Sequence, residues 1–506
     1  MTQTTHVEET SLKTGKLGTG AVAFMIIAAS APLTVLAGGT PTSYAVSGLL
    51  GVPLGFLAFG LIIGLFAIGY GRMSAYIRNS GAFYEYVSQG LGLRQGIAAA
   101  ILALVSYNLM QIGLYGIFGF SASAAIAAMT GVVIPWWVTG GAAWLLVGLL
   151  GMSNIDFSAK VLAILVTIEF IVVIGASIFG FATAPEGIST APLAPDQFLT
   201  GGIGVLLAFT MAAFMGFESG AIYSEEAKDP ERTISRATNI AVIVVALFYA
   251  VSAWAMAVGI GPSQVIDQAR EYGPDLLFVW IGQHSPAIAN LVHVLFATSI
   301  LAALLAFHNA AARYFFALGR SGVLPEVFAK TGKSGAPIVG SGAQSVLSLL
   351  VVAIFAIAGL GSELGELFPV LTLFTWFTNA AGFGIVFLMA VTSIAVIRWA
   401  KEHHPDFHPF VRLVAPALAA AGLAVVTVLI LMNFDIMIGD TGPAALVWVM
   451  PGVVLGSGLI GLIWGEFLLK RGRIRSVDGE LDTGDVVSES DERIGAPKTP
   501  TPTLNP

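Results

Sequence analysis

The sequence predicts an all-α integral membrane protein of about twelve transmembrane helices, and three observations carry that reading. The chain of 506 residues is 56% hydrophobic and 10% charged, with a mean hydropathy of +0.86, and many of its apolar runs reach the roughly 20 residues that cross a bilayer as a helix. Its lysines and arginines gather between alternate runs, as they do when every second loop faces the cytoplasm. The first and sixth runs are interrupted in corresponding places by residues that break helices.

Taken in order, hydropathy places the spans at 18–46, 51–71, 96–129, 132–151, 157–183, 201–225, 237–261, 286–318, 337–360, 367–399, 411–433 and 443–469. The loops are short, so one membrane domain is expected over 17–470, between an N-terminal tail of residues 1–16 and a C-terminal tail of 471–506. The latter is polar, with Gly, Ser, Asp and Pro, and is expected to be disordered. Met1 to Leu17 lacks a short apolar core ending in a small-residue cleavage site. It is therefore not expected to be a cleaved signal peptide, and span one would itself direct insertion. The absence of cysteine excludes disulfides, thiol catalysis and thiolate metal sites. Glycine, at 59 residues, suits close helix packing in lipid.

Basic residues orient the spans. Lys13, Lys16, Arg72, Arg78, Arg94, Lys160, Lys228, Arg232, Arg236, Arg313, Arg320, Lys330, Arg398, Lys401, Arg412 and Lys470 fall on one side of a twelve-span chain, and Arg270 falls on the other. This predicts a multi-pass protein of the plasma membrane with both termini in the cytoplasm.

Span one reads Ala28-Ala29-Ser30-Ala31-Pro32-Leu33-Thr34 and later Gly38-Gly39-Thr40-Pro41. Proline removes a backbone donor and clashes with the preceding turn. Span six contains Gly216-Phe217-Glu218-Ser219-Gly220, and each glycine costs a helix about 1 kcal/mol against alanine. A carboxylate at membrane depth is costly and marks a functional site by default. Irregular backbone survives there only where it lines a cavity or is buried in protein. Interrupted spans in corresponding places of two halves point to a transporter site. The expected architecture is thus a 5+5 inverted repeat plus two C-terminal helices, with helices one and six broken. No residue-level repeat is visible, so this symmetry rests on span count and break position.

Three stretches carry a family resemblance. The first is Phe214-Met215-Gly216-Phe217-Glu218-Ser219 followed by Glu225-Glu226-Ala227-Lys228-Asp229-Pro230-Glu231-Arg232-Thr233-Ile234-Ser235-Arg236-Ala237. The second runs from Ala312-Arg313-Tyr314 to Gly322-Val323-Leu324-Pro325, with Ala336-Pro337 beyond it, and the third is Asn79-Ser80-Gly81-Ala82-Phe83-Tyr84-Glu85-Tyr86. With its twelve spans the chain resembles a permease of the amino acid–polyamine–organocation superfamily, with the LeuT-type fold, over roughly Lys16 to Lys470. Two departures stand out. Ser235 takes the place of a usual proline, and the Gly-Ser-Gly usual at the first break is replaced near Pro32-Leu33-Thr34.

The resemblance implies that freed backbone groups of spans one and six hold an amino acid's carboxylate and ammonium. The physics agrees, because N–H groups at the start of a half-helix bind a carboxylate and unpaired carbonyls accept from an ammonium. The candidate substrate-binding residues are Ala31, Pro32, Leu33 and Thr34 with Met215, Gly216, Phe217, Glu218 and Ser219. Phe307 matches where relatives place a substrate-covering aromatic. Asn108 and Gln111 share one face of span three and either line the cavity or join helices. Glu218 has three readings: it takes up a proton, neutralises a substrate ammonium, or hydrogen-bonds spans one and six together. Lys160 reads either as a snorkelling anchor or, as in some proton-coupled relatives, as a lysine filling a sodium place. Glu169 is a second buried acid. In span eight the run from Ser299 to Asn309 offers one hydroxyl, Ser299, which is poor for sodium.

The expected function is secondary active transport of an amino acid or related amine by alternating access, coupled to protons. Spans one, two, six and seven would move against three, four, eight and nine. No nucleotide loop, metal-ligand cluster or nucleophile triad is visible, so an enzyme, a cofactor, a metal and a nucleic-acid partner are not expected; membrane lipid is. The rival readings are an exchanger of the same fold, a major-facilitator type with continuous helices one and six, and a membrane receptor or enzyme.

Overall fold

In a computed structural model the chain is described at Gly15, 17–77, 81–153, 155–332, 335–439, 441–472 and Ile474, with 155–159, 219, 225 and 231 described by backbone alone. The predicted tails lie almost wholly outside the described residues. Those residues are helical, apart from loops and a single bridge between Leu17 and Ala227. Among the described residues ten helices are long and apolar enough to cross a membrane, and two shorter apolar helices, Trp136–Gly151 and Ile203–Phe214, fall where spans four and six are expected.

Spans one to five are Thr19–Ser47, Val52–Tyr76, Leu93–Thr130, Trp136–Gly151 and Ile155–Ala182. Span six comes in two halves, Ile203–Phe214 and Phe217–Glu226, the second wound as a tighter 3₁₀ helix. Spans seven to twelve are Pro230–Ile260, Pro286–Arg320, Ile338–Ala358, Gly365–His403, Phe410–Met432 and Leu446–Lys470. Span seven begins seven residues earlier than hydropathy placed it, because Pro230 occupies its first turn, where a missing N–H costs nothing. Two amphipathic helices that hydropathy passed over, Phe83–Leu91 and Val265–Tyr272, lie in the connections.

Lipid and protein faces separate cleanly. Ile171, Ile243, Leu350 and Ile463 are exposed on the outside, as an apolar solvent allows, while Tyr44, Tyr70, Tyr107 and Tyr249 are fully buried. Small residues bring the helices together: a Cβ on Gly60 of span two would overlap the side chain of Ala246 on span seven. The ends of the two broken spans are also tied. Leu17 donates to the Glu226 carbonyl at 2.9 Å and accepts from Lys228 N–H at 2.8 Å, so the start of span one is stitched to the end of span six.

Candidate substrate site

The interruption in span one is a single residue. Thr19–Ser30 ends on Ala31, which adopts a left-handed backbone (φ 48°), and Pro32 opens the next helical stretch. In a continuous helix Pro32 would face the Ala28 carbonyl with no proton to give. Instead Ala31 N–H donates to Ala28 at 3.1 Å, and the helix restarts with Val35 N–H on the Ala31 carbonyl at 3.0 Å. The restart leaves the N–H groups of Leu33 and Thr34 without intrahelical partners, as at any helix N-terminus. Other spans satisfy them: Leu33 N–H donates to Glu169 Oε2 and Thr34 N–H to Ser299 Oγ, both at 3.3 Å. Ser299 in turn donates to Glu169 Oε2 at 2.6 Å and lies 3.1 Å from Thr34 Oγ1. On the other side of the break, Tyr249 donates to the Ser30 carbonyl at 3.2 Å.

Span six breaks at Met215, which is extended, and Gly216, which is left-handed at φ 92°. A Cβ on Gly216 would overlap the Ala29 Cβ, so the two breaks touch. Gly216 N–H donates to Glu218 Oε2 at 3.1 Å, and Tyr107 donates to Glu218 Oε1 at 2.7 Å. Tyr70 donates to the Glu218 carbonyl at 2.8 Å. Phe217 meets Phe66 edge-on at 5.7 Å. Glu218 and Glu169 are both buried, at 1% and 0% exposure.

The supports follow a two-fold pattern. Span two gives Tyr70 to the break in span six, and span seven gives Tyr249 to the break in span one. Likewise span three gives Tyr107 to the second break, and span eight gives Ser299 to the first. The three tyrosines donate and Ser299 accepts from Thr34 N–H, and each of the four comes from the opposite group of five, in keeping with paired halves of five spans.

A profile of the amino acid permease family matches residues 22–474. The chain belongs to the amino acid permease family. It is similar to the branched-chain amino acid permease BcaP of Lactococcus lactis subsp. cremoris, 26% identical over 61% of this chain and 69% of that one. It is also similar to the gamma-aminobutyric acid permease of Bacillus subtilis, 24% identical over 70% of this chain and 73% of that one. The lysine-specific permease LysP of L. lactis is 23% identical over 60% of this chain and 62% of its own. The protein is therefore a multi-pass membrane transporter for an amino acid or related amine, and not an enzyme.

Within this permease the sequence-predicted residues divide. Ala31, Pro32, Leu33 and Thr34 form the first break and Met215, Gly216, Phe217 and Glu218 the second, and the two meet where Gly216 packs on Ala29; the Ser219 side chain lies outside the described residues. Phe307 reaches the site through Tyr107, with ring centres 6.2 Å apart. Gln111 joins helices: its amide donates to Tyr115 and approaches His308 Nδ1, each at 3.1 Å, and its oxygen accepts from Gln344 of span nine. Asn108 turns back to the Leu104 carbonyl at 2.7 Å. Lys160 is not brought to the breaks. It is exposed, and at 1.5 Å per residue it stands roughly 13 Å along the helix from Glu169, the span-five group that does reach the break.

Sequence reasoning passed over Tyr70, Tyr107 and Tyr249. A tyrosine inside an apolar run carries no signal of which distant carbonyl or carboxylate it meets. Among the described residues no cluster of three or more His, Cys, Asp or Glu is placed to hold a metal.

Proposed function

We propose that this permease carries its substrate at the junction of the two breaks, by alternating access, in symport with protons. It acts in the plasma membrane with both termini in the cytoplasm. The observation that carries the reading is the carboxyl of Glu218, buried at the point where span six leaves its helical path. A buried acid there exchanges a proton only when the path opens to one side, and its contacts reach both the break and, through Tyr107, the scaffold of span three. Proton occupancy and helix geometry are thereby linked. The basic residues clustered on one side of the chain support the orientation.

Uptake into proteoliposomes tests the proposal. Pooled radiolabelled amino acids and amines are offered with and without an inside-alkaline gradient. Accumulation above equilibrium only with the gradient is expected. Uptake only into vesicles preloaded with the same compounds would mark an exchanger.

A further inference from the structure

We infer that the substrate is a cationic amine without a carboxylate, and that Glu169 receives its ammonium. This deepens the transport reading above and rests on it.

A substrate carboxylate at a broken helix needs free backbone donors at the restart. In span one there are none to offer. Position 32 is proline, and the next two N–H groups are held by Glu169 Oε2 and Ser299 Oγ. The carboxylate of Glu169 takes the Leu33 N–H that a substrate carboxylate would need. At the second break, the Gly216 N–H is turned onto Glu218 in the same way.

What the first break does offer is an acceptor. Glu169 Oε2 takes both Leu33 N–H and Ser299 O–H, while Oε1 is buried without a hydrogen-bond partner. A buried carboxylate oxygen left unpaired is expensive, and an alkylammonium with three donors satisfies it. The charge inventory points the same way. Among the described residues the buried charged side chains are Glu169, Glu218, Glu226 and Arg313, and Arg313 is committed to Glu226. Nothing cationic is buried with the two acids at the breaks, so the site is built for a positive guest.

Matched pairs that differ by the carboxylate make the test: lysine with cadaverine, leucine with isoamylamine, and phenylalanine with phenethylamine. Binding to the purified full chain is read by thermal shift and by inhibition of uptake. Amines are expected to stabilise the protein and be taken up, and their amino acids are not. Glu169→Gln is expected to lower amine affinity roughly tenfold or more, as when one partner of a buried charge pair is removed. The wild-type comparison stands even if that variant folds poorly. An amino acid that binds and accumulates as well as its amine would overturn the inference while leaving the transporter intact. Stabilisation by sodium chloride over choline chloride, without any amine effect, would assign Oε1 to an inorganic cation and also overturn it. Neither binding nor uptake of either class would defeat both readings.

Discussion

Arg313 of span eight and Glu226 at the end of span six form a two-bonded ion pair with almost no exposure. Arg313 Nε lies 2.8 Å from Glu226 Oε2 and Nη2 lies 2.9 Å from Oε1, with side chains 2% and 0% exposed. The Tyr223 ring covers the guanidinium at 5.2 Å. Because Leu17 is stitched to Glu226 and Lys228, the pair fastens the ends of both broken spans to span eight. Glu226→Gln or Arg313→Met leaves a buried charge unmatched and is expected to cost about 3–5 kcal/mol. The double variant Glu226→Leu with Arg313→Met is expected to be more stable than either single one. Thermal unfolding in detergent reads the order, and single variants that melt with the wild type would remove the pair from the stability argument.

Gly216 is the second prediction. Its left-handed backbone and its contact with Ala29 leave no room for a side chain. Gly216→Ala is expected to abolish uptake, since the new methyl forces the breaks apart and a non-glycine residue resists φ 92°. Adding Ala29→Gly removes the overlapping methyl and is expected to restore part of the activity, the backbone strain remaining. No recovery in the double variant, at equal protein in the vesicles, would mean that the close approach of the breaks is not what matters.

The breaks were legible in the sequence because their causes are local. Pro32 lacks a donor, and Gly216 permits a left-handed turn. Their completion was not legible, because it is supplied from far along the chain. Leu33 and Glu169 are 136 residues apart, Thr34 and Ser299 are 265 apart, and Ser30 and Tyr249 are 219 apart. Span five offers the sequence reader both Lys160 and Glu169, and nothing local says which reaches the break: Lys160 is exposed near the start of the helix, while the acid two to three turns further in meets the Leu33 N–H. The repeat is equally hidden from residue comparison. It is carried by where side chains arrive, and a tyrosine can answer a tyrosine or a serine at equivalent places.

Gln111 tests the other side of that division. Its amide binds Tyr115 and His308, and its oxygen takes Gln344; His308 Nε2 continues to Ser341 at 2.7 Å. Gln111→Leu leaves buried polar groups on spans eight and nine without partners, which costs roughly 1–3 kcal/mol for such a group. Melting temperature is expected to fall while KM for uptake stays at the wild-type value. A large rise in KM at unchanged stability would place Gln111 against substrate instead.

Glu218→Gln separates coupling from architecture. Glutamine keeps nearly the same shape, its oxygen still accepts from the Gly216 N–H, and Tyr107 Oη can accept from the new amide. What it loses is the exchangeable proton. Gradient-driven accumulation is expected to fall roughly tenfold or more, the scale of a typical coupling free energy. Exchange of labelled for unlabelled substrate across vesicles with no gradient is expected to continue, and thermal stabilisation by substrate to persist. Tyr107→Phe provides the control, since it removes one contact to the carboxyl and leaves the proton in place. Its gradient-driven uptake is expected to be reduced but not abolished. Equal loss of accumulation, exchange and binding in Glu218→Gln would make Glu218 a brace between spans three and six and remove it from proton coupling.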